Sequence, residues 1–169
     1  MRTILSLLIG CFFVISCQDN TKEEPIINEV LDQWHEAAFK ADYETYFRLL
    51  DENAIFIGTD ATERWTKSEF EVYAKPHFDK GKAWSFTSLE RTIYVDNHGK
   101  IAWFDELLDT SFKICRGSGV LNKTESGWKI SHYVLSMTVP NELAKEVVNQ
   151  KDSIESKLIF EMKKATSQK

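Results

Sequence analysis

The chain has 169 residues and a net charge of −5, from 21 Lys and Arg against 26 Asp and Glu, with no basic stripe. That balance argues against nucleic acid as a partner, because a phosphate backbone is held by clustered cations. Many aromatics (Phe 11, Trp 5, Tyr 5) with only 7 glycines and 3 prolines indicate a well-packed globule of one domain, not a disordered chain.

Arg2 gives a short basic start, and Ile4 to Ile15 form an almost unbroken apolar run. The run is shorter than the ~20 residues that span a bilayer. It fits the apolar region of a secretory signal. It ends in VISC, Val14 to Cys17, and polar QDNTKEE follows. This resembles the lipobox of bacterial lipoproteins: an aliphatic residue, a variable one, a small one, then Cys. The resemblance implies that residues 1–16 are removed as a signal peptide. It also implies that Cys17 carries lipid and attaches the chain to a membrane, with 17–25 as a tether. The expected address is the bacterial cell envelope, facing the periplasm or the cell exterior. The alternative is an ordinary cleaved signal with a chance Cys. Signal removal takes Cys11 and lipid takes Cys17, which leaves Cys115 as a thiol. A disulfide framework and a Cys-based metal site are thereby excluded.

Pro25 suits the first turn of a helix. Ile27, Val30, Leu31, Trp34, Ala38 and Ala41 then recur at helical spacing, with His35 beside the stripe. A second short helix starts near Asp42 and carries Tyr43, Tyr46, Phe47 and Leu50. AIFIG reads as a brief strand. Thr66 and Glu69 form a capping box that opens a helix closed by Pro76 and Gly81. Strands follow at AWSFTSLERTIYVD, KIAWFDELLD, SFKICRGSGVLNK and WKISHYVLSMTV, with turns at NHG and ESG. Such spacing predicts an antiparallel meander. Helices placed before it predict an α+β domain, with a curved antiparallel sheet capped on one face. The space between helices and sheet is a cone suited to a small ligand. From Asn141 a long helix is expected, with Leu143, Val147, Ile154, Leu158 and Met162 as a narrow apolar stripe. That stripe would pack on its own sheet or on a second subunit.

Alternation assigns faces, since residues i and i+2 share one side of a strand. Trp128, Ile130, His132, Val134 and Ser136 form one set, and Lys129, Ser131, Tyr133 and Leu135 the other. The first begins with Trp and Ile and is read as inward. Phe112, Ile114, Arg116, Ser118 and Val120 are read as inward by the same reasoning. Arg116 then lies on an apolar face, where a lone guanidinium is costly. It needs an acid, water or a ligand anion. Ile101, Trp103, Asp105 and Leu107 oppose Ala102, Phe104, Glu106 and Leu108, so alternation cannot choose between Asp105 and Glu106. GTDATERW places Asp60, Glu63, Arg64 and Trp65 between a strand and a capped helix, over the expected mouth of the cone. Local turn chemistry is the alternative: Asp60 in an Asx-turn and Trp65 stapled onto Phe70. His35, His77, His98 and His132 are scattered, and no Gly-rich phosphate loop is present. Neither a metal nor a cofactor is expected.

The helices-first order and the segments WHEAAFKADYETYFRLL, FIGTDATERWTKSEF, AWFDELL, RGSGVL and GWKISHYVLSMTVPNE resemble the SnoaL-like branch of the nuclear transport factor 2 superfamily. The likeness runs from about Ile26 to Glu142, giving a domain at 26–140 and a C-terminal helix at 141–169. It implies a cone-shaped pocket with Asp105, rather than Glu106, at a pocket-facing polar position. The candidate ligand contacts read from the residues are Trp34, Asp60, Glu63, Trp65, Trp103 and Arg116, with plain core as the alternative for Trp34. An isomerase or dehydratase of this kind would use Asp105 as general base and His132 or a tyrosine as acid. The same Asp105 could equally neutralise Arg116 and do no chemistry. A homodimer paired through the sheet is also implied. Members include isomerases, dehydratases, cyclases and association domains, so the fold does not settle the function. The leading expectation is a lipid-anchored envelope protein that binds a small organic ligand in its cone. The alternatives are an isomerase or dehydratase, and an association module without a ligand.

Overall fold

Ile27, Leu31, Trp34 and Ala38 recur three and four residues apart, and all are fully buried on one side of α1 (Glu23–Phe39). Asp42 caps α2 (Tyr43–Arg48) by accepting the Thr45 N–H. The computed structural model describes residues 22–167, so the apolar leader, Cys11 and Cys17 lie outside the described residues. After β1 (Leu50–Ile57) and a short β2 (Arg64–Thr66), the capping box of Thr66 and Glu69 opens α3 (Lys67–Phe78) as expected. Trp65 precedes the cap and stacks on Phe70 at 5.6 Å, which fixes the entry angle of the helix. The helix does not stop at Pro76. It continues to buried Phe78 and ends before Gly81, which takes φ +79.

The remaining strands are β3 (Thr87–Val95), β4 (Ile101–Thr110), β5 (Lys113–Thr124) and β6 (Gly127–Met137). They form the expected antiparallel meander, but the complete sheet is mixed, in the order β2-β1-β6-β5-β4-β3. β1 runs parallel to β6, and β2 adds an antiparallel edge. Helices cover one face. Trp34 of α1 packs on Tyr133 of β6 at 4.8 Å, and Phe70 of α3 stacks on Phe56 of β1 at 4.0 Å. The architecture is therefore α+β, with an open six-stranded sheet, N-terminal helices and a C-terminal helix. That last helix, α4 (Ala144–Thr166), buries none of its residues. Ile154 is 73% exposed and Met162 57%, so its apolar stripe is not covered by its own sheet.

The faces of β5 are reversed from the alternation reading, and on β4, where alternation left the choice open, Glu106 and not Asp105 lies on the inner face. Phe104, Glu106 and Leu108 are buried, as are Cys115, Gly117, Gly119 and Leu121. Asp105, Trp103 and Arg116 are exposed on the opposite, outer face. Asp105 stands across from Thr92 and Ser118, and Arg116 across from Leu107 and Ser136. No ion pair joins Asp105 to Arg116. The preference for Asp105 over Glu106 is corrected. The physical reason is that the outer face is also rich in large apolar groups. Ile101, Ile114 and a Tyr94–Trp103 stack with centroids 5.7 Å apart all lie there. Counting apolar residues therefore cannot separate the two sides.

In β6 the reading is right for Trp128 and Ile130, which are buried, and fails beyond them. Val120 pairs with His132 while Leu121 pairs with Ile130, so Ser131 is an extra residue on β6. Such a bulge shifts the alternation by one. Tyr133 and Leu135 become the buried pair, and His132 moves to the outer face, half-buried opposite Val120 and Ile55.

Candidate functional site

Glu106 is 1% exposed and joins four elements. Its Oε1 accepts from His35 Nε2 of α1 at 2.9 Å and from Tyr133 Oη of β6 at 3.1 Å. Its Oε2 accepts from Arg91 Nε of β3 at 2.9 Å, and Arg91 Nη2 lies 2.9 Å from the same oxygen. Arg91 Nη1 continues to Asp32 Oδ1 at 2.8 Å and Asn28 Oδ1 at 3.1 Å, both on α1. Burial pushes the Glu106 carboxyl up. The hydrogen bonds and charges of His35 and Arg91 outweigh it and hold the group below the usual carboxylate range. Tyr133 is driven well above the ordinary phenol value, first by burial and then by the Glu106 anion. Gly117 makes this contact possible: a Cβ there would lie 2.3 Å from Tyr133 Oη and 2.9 Å from Glu106 Oε1. The network is a polar strut between α1 and the sheet. His35, Asn28 and Asp32 carry it to the surface, at an open groove of about 1010 Å³ between α1 and the start of β3.

A second space, of about 270 Å³, opens between α3, the Ala83–Phe86 segment and the inner ends of β1 and β6. Half of its lining is aromatic. Phe56, Trp65, Phe70 and Tyr73 form one wall, and Trp84, Phe86 and Phe112 complete it. The wall is ordered by stacking, with Trp65 against Tyr73 at 4.5 Å and Phe70 against Trp84 at 5.8 Å. Two ionisable side chains interrupt it, Glu63 and His77. Glu63 Oε2 accepts the Asp60 N–H at 3.1 Å and folds over Gly58, where a Cβ would lie 2.2 Å from that oxygen. His77 touches Tyr73 and Trp84 through its ring, at 5.4 and 6.5 Å. Phe86 borders both the cavity and the α1 groove.

Of the residues singled out in the sequence, Glu63 and Trp65 stand together on this wall. Trp65 is both the staple of α3 and a cavity ring. Asp60 is exposed and serves the turn, accepting from Thr62 N at 2.8 Å and Thr62 Oγ1 at 2.6 Å. Trp34 is wholly buried in the core, stacked on Tyr46 at 5.1 Å. Trp103, Asp105, Arg116 and His132 lie on the other face of the sheet. Tyr73, His77, Trp84 and Phe86 were not singled out, although two signals existed. Phe70, Tyr73 and His77 are three and four apart on α3, and Trp84 and Phe86 alternate before β3. Among the described residues no group of three His, Cys, Asp or Glu stands together as metal ligands.

Residues 27–140 match the family model of a SnoaL-like domain. No curated protein matches the sequence. Solved structures do. A protein from Streptomyces avermitilis, provisionally assigned as a dehydratase of the nuclear transport factor 2-like family, superimposes with a TM-score of 0.62. It shares 13% identity over 71% of this chain and 99% of that one. A nuclear transport factor 2-like protein of unknown function from Pseudomonas putida KT2440 gives 0.61, with 14% identity over 72% and 91%. A domain of unknown function with a cystatin-like fold from Nostoc punctiforme PCC 73102 gives 0.61, with 18% identity over 88% and 99%. Identities this low carry the fold alone.

Proposed function

The chain belongs to the SnoaL-like domain family, and on that premise we propose that it binds a small organic molecule in the aromatic cavity. The observation that carries this reading is the lining: seven Phe, Tyr and Trp side chains around two ionisable groups, in a space of about 270 Å³. An apolar cavity of about 150 Å³ already admits benzene, and pockets for drug-sized ligands start at about 300 Å³. A substituted ring is the size that fits. Ser111 tests it, since it lines the mouth yet sits exposed in the β4–β5 turn. Ser111→Trp is expected to leave the melting temperature unchanged. It should also reduce, by about tenfold or more, the small molecule that co-purifies with the chain and is detected by native mass spectrometry. Equal ligand content in both proteins would place the bound molecule elsewhere.

A second reading is proton-transfer chemistry of the isomerase or dehydratase type. It is favoured by a carboxylate, Glu63, and an imidazole, His77, on the same wall. Loss of turnover with retention of binding in His77→Gln would mark that reading.

We further propose that the domain is held at the bacterial cell envelope by lipid on Cys17. Support comes from the VISC motif at the end of the apolar run. No described helix is long and apolar enough to cross a membrane. Cys17→Ser is expected to abolish metabolic labelling by fatty acid and to move the chain from the membrane fraction to the soluble one. Label that persists in the variant would refute the anchor.

A further inference from the structure

Resting on the reading of the aromatic cavity as a binding site, we propose that its ligand carries a positive charge: a small alkylated ammonium or similar organic cation, seated among the rings beside Glu63. Glu63 is the one carboxylate on the lining, and no Lys or Arg contributes to it. Arg64 and Lys80, on or beside the surrounding elements, are exposed and off the lining, and three other cations are engaged elsewhere. Lys67 pairs with Glu52, Lys75 with Asp79, and Lys82 lies over the Phe39 ring. Glu63 therefore has no ion-pair partner among the described residues.

The carboxylate is nonetheless held in place. Oε2 is fixed by the Asp60 N–H at 3.1 Å, and the bare Gly58 backbone beneath it gives it room. Oε1 makes no hydrogen bond among the described residues. Glu63 and Tyr73 both line the cavity, and the Tyr73 phenol is raised first by burial and then by the Glu63 charge.

The wall supplies the second half of the recognition. Trp65, Phe70 and Tyr73 stack within 24° of parallel, and Trp84 lies at 28° to Phe70. Aromatic rings carry negative potential over their faces and attract alkylated ammonium groups, Trp most strongly. An anion would meet a carboxylate and electron-rich rings, with no Lys or Arg on the lining to receive it. A neutral ring would strip water from Glu63 and leave its free oxygen unpaired. A cation gains from both the rings and the carboxylate.

The test is titration of the full chain, followed by intrinsic fluorescence of Trp65 and Trp84, with three probes of one shape. These are benzyltrimethylammonium, its neutral isostere neopentylbenzene, and the anion phenylmethanesulfonate. The cation is expected to bind at least about tenfold tighter than the neutral isostere, and the anion more weakly than either. Glu63→Gln, whose amide oxygen still accepts the Asp60 N–H, should bring the cation and neutral affinities together. Ser111→Trp should weaken both. A neutral isostere that binds as tightly as the cation overturns the charge inference and leaves the binding site standing. So does a cation preference that survives Glu63→Gln. If none of the probes binds, or cation binding is indifferent to Ser111→Trp, the site reading fails and this inference with it.

Discussion

Glu106→Leu lowers the unfolding free energy by on the order of 3–5 kcal/mol in urea titrations, the cost of breaking one side of a buried ion pair. The reason is what it leaves behind. Arg91 is 5% exposed at its side chain and would keep only Asp32, which is 67% exposed, as a counter-charge. His35 Nε2–H and the Tyr133 hydroxyl would lose their shared acceptor. Glu106→Leu with Arg91→Met removes both charges and should cost less than the two single changes added together. Additive costs would mean that the pair is solvated and the strut is weak.

The same network sets an acid dependence. The Glu106 carboxyl lies below its usual value of 4.5 in the folded chain. A depressed carboxyl contributes stability that is fully present above the unfolded value and is lost as pH falls through the lower, folded one. This contribution therefore holds from neutral pH down to about 4.5 and disappears below it. In Glu106→Gln that acid-induced step should shrink, as read from melting temperatures at pH 3 to 7. An unchanged acid profile would assign the step to other carboxylates.

The elements were largely legible and the faces were not. Helical spacing located α1, and the Thr66–Glu69 capping box located the start of α3, because these signals depend on neighbours in the chain. The parallel pairing of β1 with β6 depends on residues far apart in sequence, and nothing local announces it. Face assignment failed at two places for two causes. On β5 the apolar residues Ile114 and Val120 point outward, while the inward set is Cys115, Gly117 and Gly119. Small residues two apart were the available signal. They imply large neighbours on the inner side, here Tyr133 and Phe104. On β6 the single extra residue at Ser131 reversed the alternation midway, and no residue type there announces a bulge. Glu63 and Trp65 could be found because they sit in one short stretch of unusual composition, at the start of β2. The other cavity rings come from α3 and the Ala83–Phe86 segment, which meet only in the folded chain.

Gly117→Ala is expected to destabilise the chain by about 2.5–6 kcal/mol, far beyond an ordinary glycine-to-alanine change in a strand. Its Cβ would enter a space already filled, 2.3 Å from Tyr133 Oη and 2.9 Å from Glu106 Oε1. Overpacking of a tight core costs about 1–3 kcal/mol, and losing a hydrogen bond to a charged group adds about 1.5–3 kcal/mol. Gly81→Ala serves as the contrast, because nothing lies within 4 Å of a Cβ there and only its φ of +79 resists the substitution. The mechanism is tested by adding Tyr133→Phe, which deletes the oxygen that the new methyl meets first. The double variant should then be less destabilised than the sum of the single changes. The effect also reaches the cavity. Gly117 pairs directly with Leu135, which lines it, so a shift of β5 against β6 moves a cavity wall. Benzyltrimethylammonium titrations should accordingly show weaker binding in Gly117→Ala, recovering in part when Tyr133→Phe is added. A clash relieved without any recovery of binding would mean that the strut and the cavity are mechanically independent.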